Sequence, residues 1–221
     1  MTRAESIEYD EEKVVHLRRL VSQGEGQHLE FKRKASYPDK IVRELIAFAN
    51  SQGGTLLVGV DDDKSIPGVK YPDEESMVIH DELRKYCRPG LAFHESVIPI
   101  SEKRYVLQWH IPKSEKRPHF YVAEGERTSF VRQRDQSIKA SKEMSEIIRR
   151  NKSLKGTRFT YGEAEQKLIH FLEKQPTINL QEFAKLTGLN RYMASRKIIR
   201  LVLANVLKIT ATEKGDLYSR V

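Results

Sequence analysis

Two glutamates five positions apart, Glu25 and Glu30 in the stretch GEGQHLEFKRK, are the residues in this chain whose types and spacing most invite chemistry. Paired carboxylates can hold a hard divalent cation through oxygen while leaving positions open for phosphate and water. The same pair can equally be the polar edge of an ordinary strand. Lys32, Arg33 and Lys34 follow directly and form a basic patch suited to phosphate oxygens. Side chains alternate across a strand, so Glu30 and Lys32 share one face of HLEFK and Leu29 and Phe31 the other, which points Glu30 away from the core. Glu25 falls on the opposite face of an unbroken strand, and reaching Glu30 requires a turn at Gly24 and Gly26. The acidic run Asp61, Asp62, Asp63 lacks the spacing and glycine of a calcium loop and reads, by itself, as a solvated loop.

Several chemistries are excluded or unsupported. The single cysteine, Cys87, rules out an internal disulfide framework and a cysteine-based zinc site, and it reads as a packing residue. No GxxxxGK phosphate loop is present, so Gly53 and Gly54 are better explained as a helix-to-strand turn. The seven histidines never pair at ligand spacing, and His110 and His119 read as structural. Hydrophobic residues make up 38% and charged residues 32%, and the apolar runs are strand-sized. A soluble protein in the cytoplasm, without membrane insertion, is expected.

The net charge of +8 is unevenly placed. Residues 139–221 hold 17 Lys and Arg against 8 Asp and Glu, a net of +9, whereas residues 1–138 are close to neutral. A compact basic region of this kind attracts polyanions, nucleic acid above all.

The elements that position these residues follow from periodicity. A helix is expected over 11–22, a second from Pro38 to Asn50 on the stripe Ile41, Val42, Leu45, Ile46, Phe48 and Ala49, and a third over DEESMVIHDELRKYC. TLLVGV is apolar at nearly every position and belongs at the centre of a sheet covered on both faces. Strands are expected at AFHESVIPIS, RYVLQWHI, FYVA and TSFVRQ, then a helix at SKEMSEIIRR. The order describes an α+β fold with a mixed sheet over residues 1–150, a linker at 151–161 and a small second domain at 162–221.

The second domain reads as three helices and a hairpin. Asn179 and Asn190 sit at cap positions, Ala184 and Ala194 are small enough for a helix crossing, and Gly188 suits the tight turn between. The segment resembles a winged helix-turn-helix. The helix from Arg191 would then enter a major groove with Arg191, Tyr192, Ser195 and Arg196, keep Lys197 and Arg200 nearer phosphates, and pack Met193, Ile198, Leu201 and Val202 inward. Use of the same fold for protein contacts or dimerisation is the alternative.

The succession GEGQHLEFK, IVRELIAFANSQGGTLLVGVDDD, IPG and TSFVRQRDQSI resembles the AlbA-like domain of the Schlafen family over roughly residues 12–150. Many bacterial proteins that join this domain to a helix-turn-helix look like DNA-binding transcriptional regulators, and the resemblance implies that role here. Some Schlafen relatives are instead divalent-metal-dependent endoribonucleases acting on tRNA. For such an enzyme the resemblance implies a carboxylate set of Glu25, Glu30 and Asp62, with Asp61 and Asp63 as neighbours, and Mg²⁺ or Mn²⁺ as the metal. Lys32 would contact the scissile phosphate, and Arg33 and Lys34 would extend the track for the nucleic-acid backbone. Eukaryotic Schlafen nucleases join two such domains and carry a zinc site; this chain has one copy and a single cysteine, so a homodimer is the expected assembly. The partner expected on either reading is nucleic acid, DNA or structured RNA.

Overall fold

The computed structural model describes residues 11–151 and 159–221. Its contacts divide into two compact units, residues 1–137 and 138–221.

The first unit is built on a four-stranded sheet of β1 (Leu29–Lys32), β2 (Gly54–Val58), β5 (Arg104–Ile111) and β4 (His94–Ser101), in that order. β1 and β2 run parallel, with Glu30 opposite Leu56, and the other pairings are antiparallel. The apolar run of β2 is explained by burial on both sides. Leu56 and Val58 join Leu107, Trp109 and Ile111 of β5 against α2 (Pro38–Asn50) and α3 (Pro72–Tyr86). Leu57, Phe31, Leu29 and Val106 pack on the other side with Val14, Leu17 and Val21 of α1 (Glu11–Gln23). Each fully buried Leu, Ile or Phe contributes roughly 1.5–3 kcal/mol, so these two layers supply most of the cohesion.

Short strands complete the unit: β3 (Cys87–Arg88), β6 (Phe120–Ala123) and β7 (Glu126–Thr128) form one small sheet, and β8 (Phe130–Gln133) pairs with β9 (Gln136–Lys139). The expected strand TSFVRQ is therefore divided, since β7 pairs with β6 while β8 pairs with β9 and lies against α2. The hub for this region is Asn50, the buried last residue of α2. Its Nδ2 donates to the carbonyls of His119 and Phe130 and to Ser129 Oγ, at 2.9–3.0 Å, and its Oδ1 accepts from the His119 N–H at 2.7 Å. His119 is wholly buried, as a structural histidine should be. The turn after Asn50 needs its two glycines for different reasons. Gly53 has φ +83°, and a Cβ on Gly54 would lie 2.3 Å from the Phe48 ring.

The second unit contains α4 (Lys142–Arg150), α5 (Glu163–Lys174), α6 (Leu180–Thr187), α7 (Arg191–Leu203) and the antiparallel pair β10 (Leu207–Thr210) and β11 (Leu217–Arg220). Residues 152–158 of the expected linker lie outside the described residues. α4, which the sequence places in the first domain, belongs to this unit because its N-terminal turn hydrogen-bonds Asp216 and Ser195. The caps follow the sequence: Asn179 accepts from the Glu182 N–H, Asn190 from the Met193 N–H, and Gly188 takes the left-handed φ of +70° that ends α6. Ala194, Ile198 and Leu201 of α7 pack on Leu168, Leu172, Phe183 and Tyr218, whereas Met193, expected inside, is exposed.

Replacing Asn50 by Ala removes its hydrogen bonds to the His119 N–H and the Phe130 carbonyl, while Ser129 Oγ keeps the His119 carbonyl. We expect a loss of about 1–3 kcal/mol in urea unfolding followed through the single buried Trp109, the range for stranding a buried polar group. A loss well under that range would remove Asn50 from its place as the hub.

Candidate functional site

Glu30 leaves β1 on the α2 side of the sheet. That is the face opposite Leu29 and Phe31, as strand alternation requires, but it is not a solvent face: Glu30 is only 6% exposed. The expectation that Glu30 points away from the core fails because β8 and α2 close over this side. Burying a carboxylate demands compensation. It comes from Arg132 of β8, itself 4% exposed, whose Nη2 sits 2.5 Å from Glu30 Oε2, and from Lys32, which donates to Glu30 Oε1.

Arg132 does more than neutralise a charge. Its guanidinium also donates to the Gly26 carbonyl at 2.9 and 3.1 Å, to the Leu29 carbonyl at 3.3 Å and to Ser137 Oγ at 3.2 Å, and it lies over the Phe48 ring. Gln27 adds a second tie, accepting from the Arg134 N–H and donating to the Arg132 carbonyl. The glycine-containing turn before β1 is thus clamped to β8 by a fixed fork of donors, the geometry for which arginine is suited and lysine is not.

The turn also settles Glu25. Gly24 has φ +77°, and the chain swings so that Glu25 Oε1 accepts the Phe31 N–H at 2.8 Å. Burial raises the Glu25 carboxyl above its ordinary pKa, the Phe31 N–H opposes this, and the negative charges of Glu30 and Asp62 add to the rise. The acidic loop behind β2 has separate tasks: Asp61 pairs with Arg33 at 3.4 Å, Asp63 accepts from the Ser65 N–H at 2.8 Å, and Asp62 is exposed. Lys34 is exposed beside them.

Sequence reasoning missed two members of this cluster, Arg132 and Glu44. Glu44 of α2 lies 3.3 Å from Lys32 Nζ, so the Lys32 ammonium is shared among Glu30, the Phe31 carbonyl and Glu44. Burial opposes that charge, but the two carboxylates outweigh it and hold the Lys32 pKa above its ordinary value. Burial and the negative charge of Glu30 push Glu44 up to about 7 from 4.5. Its Oε2 is buried without a hydrogen-bond partner, which adds to the cost of the charged form. The available signal for Glu44 was an acid within the apolar stripe Ile41, Leu45 and Phe48; Arg132 carried none beyond a charge within a strand.

These residues form a charge-compensated strut. A divalent ion shared by Glu25, Glu30 and Asp62 needs unoccupied oxygens facing one point. Here both Glu30 oxygens face cations and Glu25 is turned to a backbone amide. Among the described residues, no group of three or more His, Cys, Asp or Glu side chains is placed to hold a metal ion. The arrangement thus does not fit the metal set implied by the family resemblance.

The second unit presents a different surface. Arg191, Tyr192, Arg196 and Arg200 of α7 are exposed, Tyr192 to 65%, and Arg196 lies over the Tyr192 ring while donating to its hydroxyl at 3.1 Å. α7 carries no acidic residue. Ser195 and Lys197, the other two residues of the expected contact set, are engaged within the unit: Ser195 Oγ donates to Glu143 Oε1 at 2.7 Å and Lys197 Nζ to Glu165 Oε1 at 2.5 Å.

Two outcomes test the strut. Arg132→Ala strands the Glu30 carboxylate, and a loss of about 3–5 kcal/mol in chemical unfolding is expected, the range for breaking a buried pair; Arg132→Ala with Glu30→Ala should lose less than the sum of the single changes. For Glu44, a native pKa raised above the unfolded value means that the native state binds the extra proton. Stability is therefore fully present below about pH 4.5 and falls as pH rises through about 7. Glu44→Gln should shrink the difference in unfolding free energy between pH 5 and pH 8, and an unchanged difference would contradict the assignment.

Comparison with known proteins places the chain. The N-terminal domain of a RecG-related protein from Nitrosomonas europaea, solved in solution, aligns at 21% identity over 53% of this chain and 87% of that one, with a TM-score of 0.43. A crystal structure of a protein from Corynebacterium diphtheriae aligns at 14% identity over 94% of this chain but 38% of its own length, with a TM-score of 0.45. The family described as Schlafen, AlbA_2 matches residues 25–141, from the Glu25 turn through the Arg132 strand to the cap of α4. With more than half of its residues in that match, the chain belongs to the Schlafen AlbA_2 family.

Proposed function

We propose that the protein binds nucleic acid, and that it is a DNA-binding transcriptional regulator whose second unit works as a winged helix. The observation that carries this reading is the row of exposed basic and aromatic side chains on α7, Arg191, Tyr192, Arg196 and Arg200, within a region whose net charge is +9. Arginine at the exposed side of a helix can pair with phosphates or with guanine edges in a major groove, and α7 itself carries no acidic residue. The helix order and the hairpin after α7 supply the frame. In this account the first unit supports or regulates binding, two copies of the chain read a two-fold operator, and the protein acts in the cytoplasm.

The alternative, a divalent-metal endoribonuclease using Glu25, Glu30 and Asp62 with Lys32, requires Glu30 to release Arg132 and Lys32, and no observed feature favours that exchange. Both readings meet one experiment. The full chain is mixed with duplex DNA across a salt series, and with tRNA in the presence of Mn²⁺ or EDTA. Arg196→Ala with Arg200→Ala should weaken duplex affinity about tenfold or more at low salt and reduce the slope of log K against log salt by about two. Unchanged affinity would overturn the DNA reading. Metal-dependent tRNA cleavage that disappears in Glu30→Gln would establish the nuclease instead.

A further inference from the structure

Met193, Arg196, Lys197, Arg200 and Leu201 fall at i, i+3, i+4, i+7 and i+8 along α7 and so share one stripe of the helix. With Phe159 and Thr160 on the approach to α5, and Glu165 in its first turn, they line a cavity within the second unit. Its volume of about 400 Å³ falls in the range of small-molecule sites, about 300–1,000 Å³. Met193, which the sequence placed in the core, lines this space instead: it is 44% exposed, and Phe159 beside the same cavity is 37% exposed.

The charge of the cavity is one-sided. Three cations, Arg196, Lys197 and Arg200, stand against one carboxylate, Glu165, and both oxygens of that carboxylate are engaged. Oε1 accepts from Lys197 Nζ at 2.5 Å and Oε2 from the Gly162 N–H at 3.0 Å. Arg196 commits Nη1 to the Tyr192 hydroxyl, and Arg200 is exposed. A phosphate backbone can pair with the two arginines but makes no use of the apolar wall. The adjoining stretch 152–158 brings Lys152, Lys155 and Arg158 and no acid, so its charge is not complementary either. An occupant that uses both halves has an anionic head for the guanidinium forks and a flat apolar body. A carboxylate accepts two parallel N–H bonds from an arginine, an aromatic ring stacks on Phe159 and on guanidinium planes, and a methionine thioether packs against ring edges.

We infer that this cavity binds a small aromatic carboxylate, and that the bound anion competes with nucleic acid for Arg196 and Arg200. The competition rests on the DNA reading given above; the site itself does not. When two ligands exclude each other, the apparent affinity for one falls by the factor 1 + [L]/Kd of the other, about tenfold at ten times Kd.

The test uses the full chain, with 2-naphthoate as the probe and naphthalene-2-carboxamide as its uncharged counterpart. Calorimetry should show saturable binding of the carboxylate, at least about tenfold tighter than the amide, the factor for one charge-assisted contact. Phe159→Ala and Arg200→Ala, both at exposed positions, should each weaken that binding about fivefold or more while keeping the helical circular dichroism of the wild type. At fixed ionic strength, 2-naphthoate at ten times its Kd should lower duplex affinity about tenfold in the wild type and about threefold or less in Phe159→Ala. No saturable binding, equal binding of acid and amide, or binding that neither substitution weakens overturns the site. Carboxylate binding as expected with duplex affinity unmoved overturns the competition. Absence of duplex binding in every form overturns the DNA reading, and the competition with it, and leaves the site standing on the calorimetry.

Discussion

The first unit depends on one buried ion pair. Arg132 and Glu30 meet at 2.5 Å across 102 residues of sequence. Removing two charges from water costs more than their attraction returns unless the remaining donors are also matched. The match here is the backbone: the same guanidinium takes the Gly26 and Leu29 carbonyls, so its charge and its donors fix the turn before β1 against β8 together. Other placements follow. Glu25 is directed to the Phe31 amide, Lys32 is drawn in as the second cation, and Glu44 beside them has its pKa raised by burial and by the charge of Glu30. Asn50 holds the neighbouring segment by the same logic with neutral groups.

Carboxylates in close succession invite a metal reading, and geometry decides whether they can accept it. A carboxylate facing Arg132 and Lys32 has both oxygens committed to internal cations, and a metal ion would have to displace both. The electrostatic interest of the chain therefore moves to the second unit. There Arg191, Arg196 and Arg200 of α7 stand exposed, and the nearby acids Glu143 on α4 and Glu165 on α5 engage Ser195 and Lys197 instead.

Much of this was legible in the sequence where a period or a local rule applied. The apolar stripe of α2, the doubly covered β2, the asparagine caps of α6 and α7 and the glycine turn at 53 and 54 were all read correctly, because each is written within a few neighbouring residues. What failed was long-range. Strand alternation put Glu30 on the correct face, yet nothing local said that β8, a hundred residues away, would close over it. Ser195 and Lys197 looked like free contacts because the partners that engage them, Glu143 and Glu165, lie on other helices 52 and 32 residues back. Met193 was placed inside with Ile198, Leu201 and Val202, but the helix turns it to solvent.

The central claim is a division of labour: the carboxylate cluster of the first unit is a strut, and α7 carries the binding surface. Hydrogen–deuterium exchange of the full chain with and without duplex DNA tests it most directly. The account predicts that DNA slows exchange over residues 191–200 and leaves 25–32 and 59–64 unchanged. Protection concentrated at 25–32 and 59–64, with α7 unaffected, would contradict it.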